Sequence, residues 1–85
     1  MRHARAPALD KLEPLLVGLR ALPGLVEKTR GVFYRRSRAF LHFHEDPAGL
    51  FADLGGTPDG EFERIDVTDE AGRARLLEAA RRRLA

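Results

Sequence analysis

Neither cysteine nor tryptophan occurs in these 85 residues, and methionine occurs once. Without thiols, no disulfide and no thiolate metal site can brace the chain. Lysine is almost missing too: of 15 basic residues only Lys11 and Lys28 are lysine, the rest being arginine. No sign of charge dominates. The 15 basic residues face 13 acidic ones for a net charge of +2, and the two signs are interspersed. That pattern fits a salt-bridged, solvated surface better than a nucleic-acid binder. No apolar run reaches the length that crosses a bilayer. The opening Met1-Arg2-His3-Ala4-Arg5 leads into no apolar signal segment, so a cytoplasmic location and no membrane contact are expected.

What is present is enough for one small domain. A chain of this size buries only about 60–65 % of its unfolded surface, so its core is thin and self-association becomes a route to stability. The Ala/Leu/Arg/Gly-rich composition suggests a GC-rich bacterial source. A charged fraction of 33 % with a single Met suits a thermophile.

Residues 1–6 read as a flexible basic tail and residues 7–85 as a single α+β domain. From about Pro7 to Leu22, the residues Leu9, Leu12, Leu16, Leu19 and Leu22 recur at intervals of three and four, which predicts an amphipathic helix. Asp10 and Glu13 have capping-box spacing. Pro14 lacks a donor, so the helix either starts near Asp10–Pro14 or kinks there. Pro23-Gly24 ends it. Val26–Thr29 is short and reads as strand or loop. Val32, Phe33 and Tyr34 give a β-prone segment, Ser37-Arg38 a turn, and Ala39–Glu45 and Leu50–Leu54 a pair of alternating runs. Gly55-Gly56-Thr57-Pro58-Asp59-Gly60 is a turn cluster; no helix follows it, so it lacks the context of a phosphate-cradling loop. Phe62–Val67 predicts a further strand. Thr68 or Asp69 caps a last helix whose stripe is Leu76, Leu77, Ala80 and Leu84, and Arg81–Arg83 suit its C-terminal dipole. The order α-β-β-β-β-α with short connections predicts an antiparallel meander covered on one face by two helices, a two-layer α+β sandwich.

The segment Phe40-Leu41-His42-Phe43-His44-Glu45-Asp46-Pro47-Ala48-Gly49-Leu50-Phe51-Ala52-Asp53-Leu54 is the most informative. Reversal at Pro47-Ala48 sets residue 45 opposite 50, 43 opposite 52 and 41 opposite 54. It also sets His42 opposite Asp53 and His44 opposite Phe51, within contact distance. The apolar face of Leu41, Phe43, Leu50, Ala52 and Leu54 belongs against the helices. Phe40, His42, His44, Phe51 and Asp53 then lie on the open face, where an aromatic patch marks a partner surface or a pocket.

Three uses of these residues follow. The leading one is a non-enzymatic module that forms a homodimer or binds a protein or ligand through Phe40, Phe51, His42 and His44. The second is a divalent-metal site at His42, His44 and Asp53, with Glu45 or Asp46 in reach from the turn. Alternate residues of a strand share a face, and two His plus a carboxylate is a set used by zinc and non-haem iron. Such a site could be catalytic, although no nucleophile stands near it; Ser37 and Thr57 lie in turns. A simple His42–Asp53 hydrogen bond is the plainer alternative. The third is single-stranded nucleic-acid binding through Arg35, Arg36 and Arg38 beside Phe33 and Tyr34, against the plainer role of edge protection by charge.

The block from Phe40 to Asp53 resembles one found in small bacterial proteins without an assigned activity. More distantly, the layout is similar to the YjbR/MmcQ-like group. There a leading helix ends in a turn like Pro23-Gly24-Leu25-Val26-Glu27, followed by an antiparallel sheet and a closing helix. This chain is shorter and lacks that group's tryptophan-bearing segment. The resemblance implies a frataxin-like α/β architecture and carries over no functional residue.

Overall fold

A computed structural model describes all 85 residues. Its elements are β1 (Arg2–His3), α1 (Ala6–Arg20), β2 (Val26–Thr29), β3 (Val32–Arg35), β4 (Arg38–Asp46), β5 (Gly49–Leu54), β6 (Glu63–Asp66) and α2 (Glu70–Leu84). The sheet is antiparallel, in the order β2-β3-β4-β5-β6, with β1 beside the upper end of β4. Both helices lay their leucines on one face of it: Leu12, Leu16 and Leu19 of α1 and Leu76 and Ala80 of α2 form one core with Phe33, Leu41, Phe43, Ala52, Leu54 and Val67. The two-layer α+β sandwich expected from the hydrophobic periodicities is the architecture observed.

Helix α1 begins earlier than Asp10. It starts at Ala6 with Pro7 in the first turn, where a missing N–H costs nothing, and it runs on through Pro14. The carboxylates of Asp10 and Glu13 do not cap it. They receive the guanidinium of Arg30 instead, at 2.8 and 2.9 Å, and Glu13 also receives Arg20. Helix α2 is capped by Asp69, which accepts from the Gly72 N–H at 2.8 Å. Thr68 is not part of that cap; its hydroxyl and the backbone N–H of Leu50 meet at 3.0 Å and tie the end of β6 to β5.

The first six residues depart from the free tail expected of them. The β3–β4 pairing stops at Leu41, so the upper part of β4 has unpaired backbone groups on that side. Strand β1 occupies this gap, with Arg2 opposite Glu45 and His3 opposite His44, and Ala4 N–H donates to the Phe43 carbonyl at 3.0 Å. The Glu45 carboxylate holds the segment through Arg2 and through the Arg5 backbone N–H.

Candidate metal centre

The β4–β5 hairpin turns at Pro47-Ala48, with Asp46 opposite Gly49 and the Asp46 carboxylate accepting from the Ala48 N–H. His42 therefore stands opposite Asp53 and His44 opposite Phe51, as the turn residues imply. Two more strands complete the open face. Across β1, His3 stands opposite His44; across β6, Arg64 stands opposite Asp53. The sheet thus aligns His42, Asp53 and Arg64 in one row and His3, His44 and Phe51 in the next.

Phe40 is a correction. It was expected on this open face and is buried in the core at 3 % exposure. Between Phe33 and Tyr34 the partner positions on β4 jump from Leu41 to Ala39, so Phe40 is the extra residue of a β-bulge. A bulge breaks the alternation of faces, and it turns Phe40 to the same side as Leu41. Phe51 stays on the open face, half-buried. A different ring joins it: Phe62, 43 % exposed, from the β5–β6 loop, with its centroid 5.3 Å from that of His42.

The imidazoles of His3, His42 and His44 converge. One ring nitrogen from each lies within 4.8 Å of the other two. The His44 ring centroid is 4.9 Å from those of both His3 and His42. Asp53 lies at the edge of this group rather than inside it. Its two oxygens accept a bidentate pair from Arg64 at 2.8 and 3.0 Å, and Oδ2 is also 3.0 Å from His44 Nε2. The expected direct His42–Asp53 hydrogen bond is replaced by a His42 Nδ1 to His44 Nε2 contact of 3.0 Å. A carboxylate only accepts, which assigns the hydrogen to His44 Nε2 and the lone pair to His44 Nδ1. That Nδ1 is buried and meets no donor, an arrangement that is costly unless something electron-poor approaches it.

Burial is the main reason the His42 pKa lies below the ordinary histidine value. The Asp53 charge opposes this, and His44, His3 and Arg64 reinforce it. The Asp53 pKa is lowered chiefly by its hydrogen bond from Arg64. At neutral pH the centre therefore combines a neutral, electron-donating His42 with an ionised carboxylate that orients His44. Glu45 and Asp46 do not reach in: Glu45 holds Arg2 and Arg5, and Asp46 faces the turn and the Met1 amine. Sequence reasoning missed His3 and Arg64. For Arg64 the signal was an Asp/Arg pair on adjacent predicted strands; for His3 there was none, because β1 is too short to carry a period.

Arg35, Arg36 and Arg38 lie elsewhere, around the β3–β4 turn. No helix is long and apolar enough to cross a membrane. No protein-family model, curated protein or solved structure matches this chain.

Proposed function

We propose that this chain is a small transition-metal-binding protein whose ligands are His3, His42 and His44. One observation carries the reading: three imidazoles from two strands place nitrogens within 4.8 Å of one another. Tetrahedral coordination at about 2.0–2.1 Å needs nitrogens roughly 3.4 Å apart, so modest side-chain rotation closes the set. Imidazole ligands suit Zn, Cu, Ni or Fe rather than Mg or Ca. Asp53 supports the set from outside by orienting a ligand histidine, a role carboxylates commonly take behind metal-bound imidazole. Three protein ligands leave the fourth position to water or to a small ligand.

The open face as a self-association surface loses Phe40 to the core and keeps Phe51, with Phe62 added, so it has thinner support than the metal reading. Titration of tag-free protein with zinc or nickel, followed by thermal unfolding, tests the proposal. At a free metal concentration of 100 Kd the native state gains about 2.7 kcal/mol, a shift of several degrees. His42→Ala is expected to abolish the shift and His3→Ala to weaken it. No metal-dependent shift in the unmodified chain, or an equal shift in both variants, overturns the proposal.

A further inference from the structure

A second feature lies past the edge of the histidine centre, on the other side of Phe62. The β3–β4 turn and the Gly55–Gly60 loop enclose a notch of about 480 Å³, lined by Arg35, Arg36, Arg38, Gly55, Gly56 and Phe62 among others. That is the size of pocket that takes a small organic ligand. No carboxylate lines it.

Most arginines away from the notch are paired, although Arg5 and Arg75 have no side-chain partner and Arg73 donates only to the Val67 and Thr68 carbonyls. Arg2, Arg20, Arg30, Arg64, Arg81, Arg82 and Arg83 each have a carboxylate partner. Arg35 donates only to the Arg83 backbone carbonyl, at 3.0 Å. Arg36 and Arg38 have no partner in the chain. The nearby acids are engaged elsewhere: Asp59 accepts from the Thr57 hydroxyl and the Glu61 N–H, and Glu63 holds Arg83. Three arginines thus line one concavity, none of them with a carboxylate partner.

The backbone of the turn points the same way. Arg36 and Ser37, its two central residues, have φ of 51° and 67°. This left-handed region suits Asn-Gly in a two-residue hairpin turn, yet an arginine stands there. Strained residues of this kind cluster where a side chain is needed for binding. On the opposite wall, Gly55 and Gly56 lie against the Phe62 and Phe40 rings, where an added Cβ would stand 3.0 Å from a ring carbon. Phe62, partly exposed, is among the residues that line the notch.

We propose that this notch binds a phosphate-bearing ligand of nucleotide size, its phosphate held by Arg35, Arg36 and Arg38 and its planar ring resting on Phe62. Guanidinium forks match phosphate oxygens two at a time, and an aromatic side chain accepts any base by stacking. The confined volume argues for a free nucleotide over an extended strand, whose phosphates would run on past the three arginines.

The test is titration with adenosine monophosphate, inorganic phosphate and a short oligothymidylate, monitored by amide chemical shifts. Saturable binding of the nucleotide, with shifts confined to the β3–β4 turn and the Gly55–Gly60 loop, is the expected result. The double substitution Arg36→Asn with Ser37→Gly gives the turn its preferred residues, so the fold is retained while a cation is lost. It is expected to weaken nucleotide binding about tenfold or more, the size of one charged hydrogen bond. Phe62→Leu should weaken the nucleotide and leave inorganic phosphate unchanged. The proposal is overturned by absence of shifts at millimolar nucleotide, by equal affinity in the double variant, or by phosphate binding as tightly as the nucleotide. Binding confined to the oligothymidylate, with a steep salt dependence, overturns it in favour of a strand-binding surface.

Discussion

His42 shows how a single residue in this fold serves two equilibria. Its ring is partly buried among His3, His44 and Phe62, and burial lowers its pKa below the ordinary histidine value of 6.5. The unfolded chain therefore binds a proton at a higher pH than the native one. The stability tied to this residue is fully present above about pH 6.5 and is lost as pH falls from there toward the lowered native value. Asp53 acts in a separate window. Its pKa is lowered by Arg64, so its contribution persists until pH drops below the ordinary carboxylate value of 3.8. Urea midpoints measured from pH 7.5 to 4.5 should fall across the first window in the unmodified chain and stay flatter in His42→Gln, which keeps a polar side chain of similar reach. An identical slope in the variant would assign the acid sensitivity to some other group. Metal affinity should fall over the same interval, since protons and cations compete for the same lone pairs.

At the scale of elements, what the sequence made legible was local, and what it hid depended on neighbours. The helices follow from leucines three and four apart, and the β4–β5 register follows from Pro47-Ala48. Both signals sit within a few residues of what they determine. Phe40 was not legible because its bulge exists only relative to β3; the adjacent apolar pair Phe40-Leu41 breaks the alternation without telling that both turn inward. Strand β1 was not legible because two residues carry no period; it forms because β4 outruns β3. Pro14 looked like a boundary, yet the packing of Leu12, Leu15, Leu16 and Leu19 against the sheet carries α1 through it. The docking of α2 offers a sharper test. Gly72 sits in its first turn against the end of β6, where a Cβ would stand 2.0 Å from the Asp66 carbonyl oxygen. Alanine is the better helix former by up to about 1 kcal/mol, so propensity alone predicts that Gly72→Ala stabilises. Overpacking a close backbone contact costs about 1–3 kcal/mol, and it also disturbs the Asp69 cap. The expected outcome is a net loss of about 1–2 kcal/mol, read as a lower urea midpoint with an unchanged m-value; a gain would mean that α2 can lift off β6 cheaply.

For the molecule as a whole, the histidine centre joins its weakest part to its strongest. Strand β1 has two residues and exposed side chains, so it opens without unfolding anything else, as small peripheral units do. Strand β4 carries Leu41 and Phe43 at the middle of the core. A metal held by His3 from one and by His42 and His44 from the other makes opening of β1 cost a ligand. The amide of Ala4, bonded to the Phe43 carbonyl, reports that opening directly. Its hydrogen exchange should slow with zinc by the factor that His3 adds to the affinity, about tenfold or more by linkage. Core amides of β4 exchange through global unfolding and should slow by the full metal-binding factor instead. In His3→Ala the Ala4 amide should lose its zinc response while the β4 amides keep part of theirs, carried by His42 and His44. An Ala4 amide that responds to zinc equally in both proteins would mean that the N-terminal strand is held by Glu45 and backbone pairing alone, and that His3 is a bystander to the other two rings.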